Sequence, residues 1–236
     1  MMALSLNDRD LQLWQDNVIP LKPGQDEWNP DLCTEFEPQQ IFHSRRNEIA
    51  FIDPAVPGYE TLRDGICLGI ECVVLDPAED GIAQMIEHLE DREDVAAIHI
   101  FGLGAEATLA LGQATLSLAT MSIYHDMLRA LGRHMSVAGE ILIYGSETGS
   151  GEAGAEFVSE LADLTDCHVA AATRQIGCES LGGCWELDQV SGLVISALAI
   201  GADARARYDE VLALVATHRS ANDLDFSHLW RKAAQA

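Results

Sequence analysis

Short apolar runs alternate with amphipathic stretches through the middle of the chain. Glu48-Ile-Ala-Phe-Ile52, Glu71-Cys-Val-Val-Leu75, Ala96-Ala-Ile-His-Ile-Phe101, Glu140-Ile-Leu-Ile-Tyr144 and Cys167-His-Val-Ala-Ala171 have strand length and little polar alternation, which predicts strands buried on both faces. Between them, Gly81–Leu89 places Ile82, Met85, Ile86 and Leu89 on one helical face; Ile123, Met127, Leu128 and Leu131 repeat that spacing, as do Phe157, Leu161 and Leu164. This order predicts a three-layer α/β fold, a mostly parallel sheet with helices on both faces. One segment breaks the rhythm. Thr108–Leu118 alternates with period two around Gly112-Gln113 and predicts a small β-hairpin.

The flanks differ from this core, so three regions are expected. Residues 1–47 hold Pro20, Pro23, Pro30 and Pro38 with scattered Trp14, Trp28 and Phe36, an N-terminal arm with little regular structure beyond a helix around Asp8–Asp16. Residues 48–200 form the α/β domain. Residues 201–236 predict a helical extension: Tyr208, Val211, Leu212 and Val215 share one face of an amphipathic helix, and a second short helix is expected through Leu229 and Trp230. That face either covers the sheet or supplies a docking surface for a homo-oligomer.

Charge narrows the choice of partner. The 236 residues carry 14 Lys+Arg against 38 Asp+Glu, a net charge of −24, which disfavours nucleic acid and anionic membranes. No apolar run reaches the ~18 residues of a membrane span, and no Sec-type leader opens the sequence; membrane insertion is not expected. Six cysteines (Cys33, Cys67, Cys72, Cys167, Cys178, Cys184) are too sparse for a disulfide scaffold and contain no Cys-x-x-Cys pair, so reduced thiols in the cytoplasm are the default. Their spacing and that of the histidines imply no metal, and no cofactor motif completes itself.

In such a sheet, ligands meet the loops beyond the carboxyl ends of the strands. Gly102-Leu-Gly104-Ala-Glu-Ala107 has a Gly-x-Gly-x-x-Ala form, but a hairpin follows where a pyrophosphate site needs a helix. Gly145-Ser-Glu-Thr-Gly-Ser-Gly-Glu-Ala-Gly154 leads from strand to helix without the lysine of a phosphate loop, and Glu147 and Glu152 oppose an anion. Ser146 stands in that turn, outside a Gly-x-Ser-x-Gly elbow. His99 is read as a buried, hydrogen-bonded histidine, since it precedes the loop by about 13 Å of extended chain. Cys178 and Cys184 either bridge or lie as two small buried side chains.

Taken together, Phe51-Ile-Asp53, Val73-Val-Leu-Asp-Pro77 with Asp80-Gly81, Ala97-Ile-His-Ile100, Leu109-x-Leu-Gly112, Leu142-x-Tyr-Gly145, Gly151-Glu-Ala-Gly154 with Phe157, Val169-Ala-Ala171 and Leu181-Gly-Gly-x-Trp-Glu-Leu187 resemble the bacterial family known as domain of unknown function 4347. That family is found near the N-termini of giant adhesins. Even Phe36-Glu-Pro-x-x-Ile-Phe42 is similar to a segment that often precedes the domain, with Gln39 and His43 replacing its Arg and Asp. The resemblance covers about Glu48 to Asp188 and implies a caspase-like fold. It also implies a His in a Ser-His-Gly loop after the third strand and a Cys in a Tyr-Gly-Cys loop after the fourth. Here those loops read Gly102-Leu103-Gly104 and Tyr144-Gly145-Ser146.

Leucine cannot titrate and an unassisted serine is a weak nucleophile, so both halves of the dyad are lost. The expectation is a catalytically inactive caspase-like domain that binds or scaffolds, with Leu103 and Ser146 marking degenerate positions. Phe101, Gly102, Gly104, Glu106, Gly145, Glu147 and Thr148 would line the cleft, whose glutamates favour a cationic or neutral protein or peptide segment. The alternative is a hydrolase using Ser146 with a base from elsewhere, such as His43. Cytoplasmic residence follows by default, with non-Sec export left open.

Overall fold

The computed structural model describes residues 47–214. The N-terminal arm over 1–47 but for Asn47, the helix expected around Asp8–Asp16, His43, Val215 and the segment through Leu229 and Trp230 lie outside the described residues.

The apolar runs form a six-stranded sheet in the order β2-β1-β3-β7-β8-β9. Its members are β1 (Glu48–Ile52), β2 (Ile70–Val74), β3 (Val95–Phe101), β7 (Met135–Tyr144), β8 (His168–Ala171) and β9 (Gln189–Ser191). The first five are parallel, and β9 closes one edge antiparallel to β8. The expected hairpin is present as β5 (Thr108–Leu111) and β6 (Ala114–Ser117), and the glycine-rich loop before it adds β4 (Leu103–Ala105) to make a separate three-stranded sheet.

Side-chain alternation divides the core in two. Ile49, Phe51, Ile98, Ile100, Ile141, Ile143, Val169 and Ala171 face three long helices, α2 (Gly81–Leu89), α3 (Leu118–Arg133) and α4 (Gly151–Thr165). Ala50, Ile52, Ala97, Phe101, Leu142 and Tyr144 face the opposite layer, where α1 (Tyr59–Asp64) and α5 (Ala202–Arg207) are each six residues long. Three layers of α/β structure are therefore present.

Helix α2 starts where Asp80 accepts the N–H groups of Ile82 and Ala83, at 2.9 and 3.0 Å. On α3 the buried face is Met121, Tyr124, Leu128 and Leu131, whereas Ile123 is 54% exposed. Of the expected stripe, Met127, Leu128 and Leu131 pack on the core and Ile123 does not, because Tyr124 turns inward in its place and donates its hydroxyl to Asp80 at 2.9 Å.

The largest departure is at the C-terminal side. The helix expected through Tyr208, Val211, Leu212 and Val215 does not form over its described residues: α5 ends at Arg207, Glu210 bends the chain, and Val211 and Ala213 stand in single β-bridges. Tyr208 and Leu212 are buried in the domain's own second cluster, and Val211 and Ala213 pair with Gly177 and Gly104. Among the described residues no helical face is formed there. The periodicity is met instead by two buried residues of an extended strand, held by tertiary hydrogen bonds that sequence spacing does not encode.

Candidate functional site

The two glycine-rich turns leave adjacent parallel strands, Phe101 of β3 being in register with Tyr144 of β7. Their rings stack at 4.1 Å and 8°, an aromatic floor beneath both turns. Above it the turns touch. A Cβ on Gly104 would collide with the backbone of Gly145 and Ser146, so only glycine allows this approach.

The second turn is fastened from several sides. Thr148 is buried, its hydroxyl donating to Gly145 O at 3.2 Å or Thr108 O at 3.3 Å, while Ala107 N–H donates to Thr148 O. Glu147 adopts a left-handed φ of 59° and donates its N–H to Arg174 O. The side chains of Glu106 and Glu147 are exposed at the rim. Glu106 approaches Gly151 at the start of α4, placing a carboxylate where the helix dipole already favours negative charge.

Ser146 is 0% exposed, and its Oγ accepts the Ile176 N–H at 3.0 Å. Among the described residues no histidine or carboxylate hydrogen-bonds to this hydroxyl, and Leu103 packs partly buried against the second cluster. The structure therefore brings Phe101, Gly102, Leu103, Gly104, Gly145, Ser146 and Thr148 together, with Glu106 and Glu147 at the edge.

His99 lies below the site. It is fully buried, with Nδ1 3.2 Å from the Tyr144 hydroxyl and Nε2 3.3 Å from Glu48. With Nε2 carrying the proton toward Glu48, Nδ1 accepts from Tyr144, whose oxygen accepts the Ala199 N–H at 3.0 Å. Burial pushes the Tyr144 phenol well above its ordinary range. Among the described residues no group of three His, Cys, Asp or Glu side chains is placed to hold a metal, and Cys67, Cys72, Cys167, Cys178 and Cys184 are free thiols.

Sequence reasoning missed the segment that both turns hold. The N–H groups of Gly104 and Ser146 both donate to the carbonyl of Leu212, at 3.1 and 2.9 Å, and Leu214 N–H donates back to Gly104 O at 2.7 Å. On the other side, Leu212 N–H donates to Ile176 O at 2.9 Å and Cys178 N–H to Glu210 O at 2.8 Å. An extended segment is thus clasped between the turns and the edge at Ile176–Cys178. Gly177, at φ 131°, permits the contact, since a Cβ there would strike the backbone of Glu210 and Val211. These glycines were the available signal, but nothing local to them names the partner strand.

Chemically, two convergent amides beside a hydroxyl can stabilise a carbonyl oxygen. Among the described residues the partner of that hydroxyl is the Ile176 N–H, a donor and not a base. A model of the family described as "Domain of unknown function (DUF4347)" matches residues 49–212. No curated protein and no solved structure matches the chain.

Proposed function

Because the chain belongs to the DUF4347 family through residues 49–212, we propose that it is a catalytically silent domain of caspase-like type that acts by binding, as a receptor or scaffold for an extended protein or peptide segment. The observation that carries this reading is the pair of amides on Gly104 and Ser146, which converge on one main-chain carbonyl while Leu103 offers no imidazole and Ser146 Oγ accepts a hydrogen bond from Ile176. Acyl transfer needs a group to take the hydroxyl proton. Main-chain recognition needs only the donors. The net charge of −24 and the exposed Glu106 and Glu147 favour a cationic or neutral partner segment.

The alternative, a hydrolase built on Ser146 with a distant base such as His43, would draw on the same amides. It must also expose a hydroxyl that is fully buried. The experiment is labelling of the full chain with a biotinylated fluorophosphonate, followed by peptide mapping. Ser146 is expected to stay unmodified while a reference serine hydrolase labels fully; stoichiometric modification of Ser146 would overturn the silent reading.

A further inference from the structure

Residues 209–214 lie in the groove as a ligand lies in a receptor. Their carbonyls and amides make five backbone bonds, to Gly104, Ser146, Ile176 and Cys178. Leu212 alone among them is fully buried, whereas Asp209 and Glu210 face solvent and Leu214 is 37% exposed. Recognition therefore runs through the main chain with one aliphatic anchor, the logic of strand addition to a sheet edge. The strand also joins two separate structures, pairing in parallel with β4 at Gly104 and antiparallel with the edge at Gly177.

Vacating the groove is costly, because it would leave the inward-facing amides of two buried turn residues, Gly104 and Ser146, without an acceptor. Exchange of one strand for another keeps those bonds. We infer that the groove between the Gly104 and Ser146 turns and the Ile176–Cys178 edge is a strand-accepting peptide site, that Asp209–Leu214 is its resident internal ligand, and that in trans it takes an extended peptide with an aliphatic side chain at the place of Leu212. This inference rests on the reading of the domain as a binding module.

The apparent affinity for such a peptide is reduced by the fraction of molecules whose own strand fills the groove. The probe is a fluorescein-labelled peptide of sequence Asn-Gln-Val-Leu-Ala-Leu, the resident strand with its two solvent-facing acids replaced by their neutral amides so that the charge of the chain does not oppose it, titrated by fluorescence polarisation into the full chain. Weak binding is expected for the unaltered protein. Leu212→Ala loosens the resident strand and should tighten peptide binding by about tenfold or more, with faster hydrogen exchange at the amides of Gly104 and Ser146. Leu214→Pro leaves the buried anchor in place and removes only the N–H that Gly104 accepts; it should give a gain of about threefold to fivefold.

Adding Gly177→Ala to either variant should abolish the gain, since the new methyl occupies the path of the peptide backbone. No gain in a folded Leu214→Pro protein, or a gain that survives Gly177→Ala, overturns the site. Intact mass spectrometry separates the two readings. Cleavage after Leu212 would end the silent reading and keep the resident strand, whereas an intact chain with no gain would end the strand site and keep the silent reading.

Discussion

The two faces of the central sheet are built by different means. On one, helices of 9, 16 and 15 residues cover a continuous apolar cluster. On the other, two six-residue helices share the work with irregular segments, the Leu212 strand and buried polar groups including His99 and Glu140. Long amphipathic helices stabilise through repeated apolar contact and tolerate little rearrangement. Short elements held by individual hydrogen bonds open locally at lower free energy, and that is where a binding groove belongs. The first face holds the fold together, and the proposed strand site lies on the second.

The sharpest test of that division is truncation on the helical face. Phe157 on α4 is fully buried, so Phe157→Ala should cost about 3–5 kcal/mol and shift the urea midpoint of the whole chain. Leu62 on α1 is equally buried, but its helix is short enough to settle into the space, and Leu62→Ala should cost about 2 kcal/mol, near the low end for such truncations. Equal shifts would show the two faces to be one cooperative unit.

The same contrast governs what the sequence disclosed. Runs such as Ala96–Phe101 and the stripe through Ile82, Met85 and Leu89 carry their burial in their own spacing, and the hairpin carries its turn in Gly112-Gln113. The closeness of Leu103 to Ser146 followed from which strands neighbour each other. The fate of Tyr208–Leu214 did not, since Tyr208 and Leu212 suit a helix by spacing while the backbone bonds that hold the segment come from residues 32 to 110 positions earlier in the chain. Ile123 failed for a related reason, because the Tyr124–Asp80 bond chose between two apolar stripes of similar quality. Helix α1 was missed because six residues give too short a period to read.

A middle-sized effect should come from Asp53, which is 1% exposed and ties the strand end after β1 to the hairpin tip. Its carboxylate accepts Ala55 N–H at 2.8 Å and Gly112 N–H at 2.7 Å. Asp53→Ala leaves both donors without their acceptor and should cost about 1–3 kcal/mol. Hydrogen exchange should rise at Gly112 first. On the second face, Tyr208 donates its hydroxyl to Pro57 O at 2.7 Å, so Tyr208→Phe should cost about 1 kcal/mol by thermal melting, the ring itself staying packed against Trp185.

The smallest effect belongs to the surface, where neither face is tested and charge acts alone. The Arg92 guanidinium reaches Glu71 through bonds of 2.6 and 2.8 Å, and His88 Nε2 adds a contact at 2.9 Å. The bond to Arg92 holds the Glu71 carboxyl below its usual range, against partial burial and with help from His88. A depressed folded value means that the stabilisation is present above the unfolded carboxylate value of about 4.3 and is lost as pH falls through the folded one. The Glu71 side chain is 42% exposed, so solvent screening keeps the pair below about 1 kcal/mol. Glu71→Gln should therefore lower the melting temperature slightly at neutral pH and change it much less near pH 2, where acid neutralises the Glu71 carboxyl and leaves it as uncharged as the amide. A difference of the same size at both pH values would assign the effect to packing of the Glu71 stem against β2's neighbours, and would mean that even this edge of the sheet is held by contact.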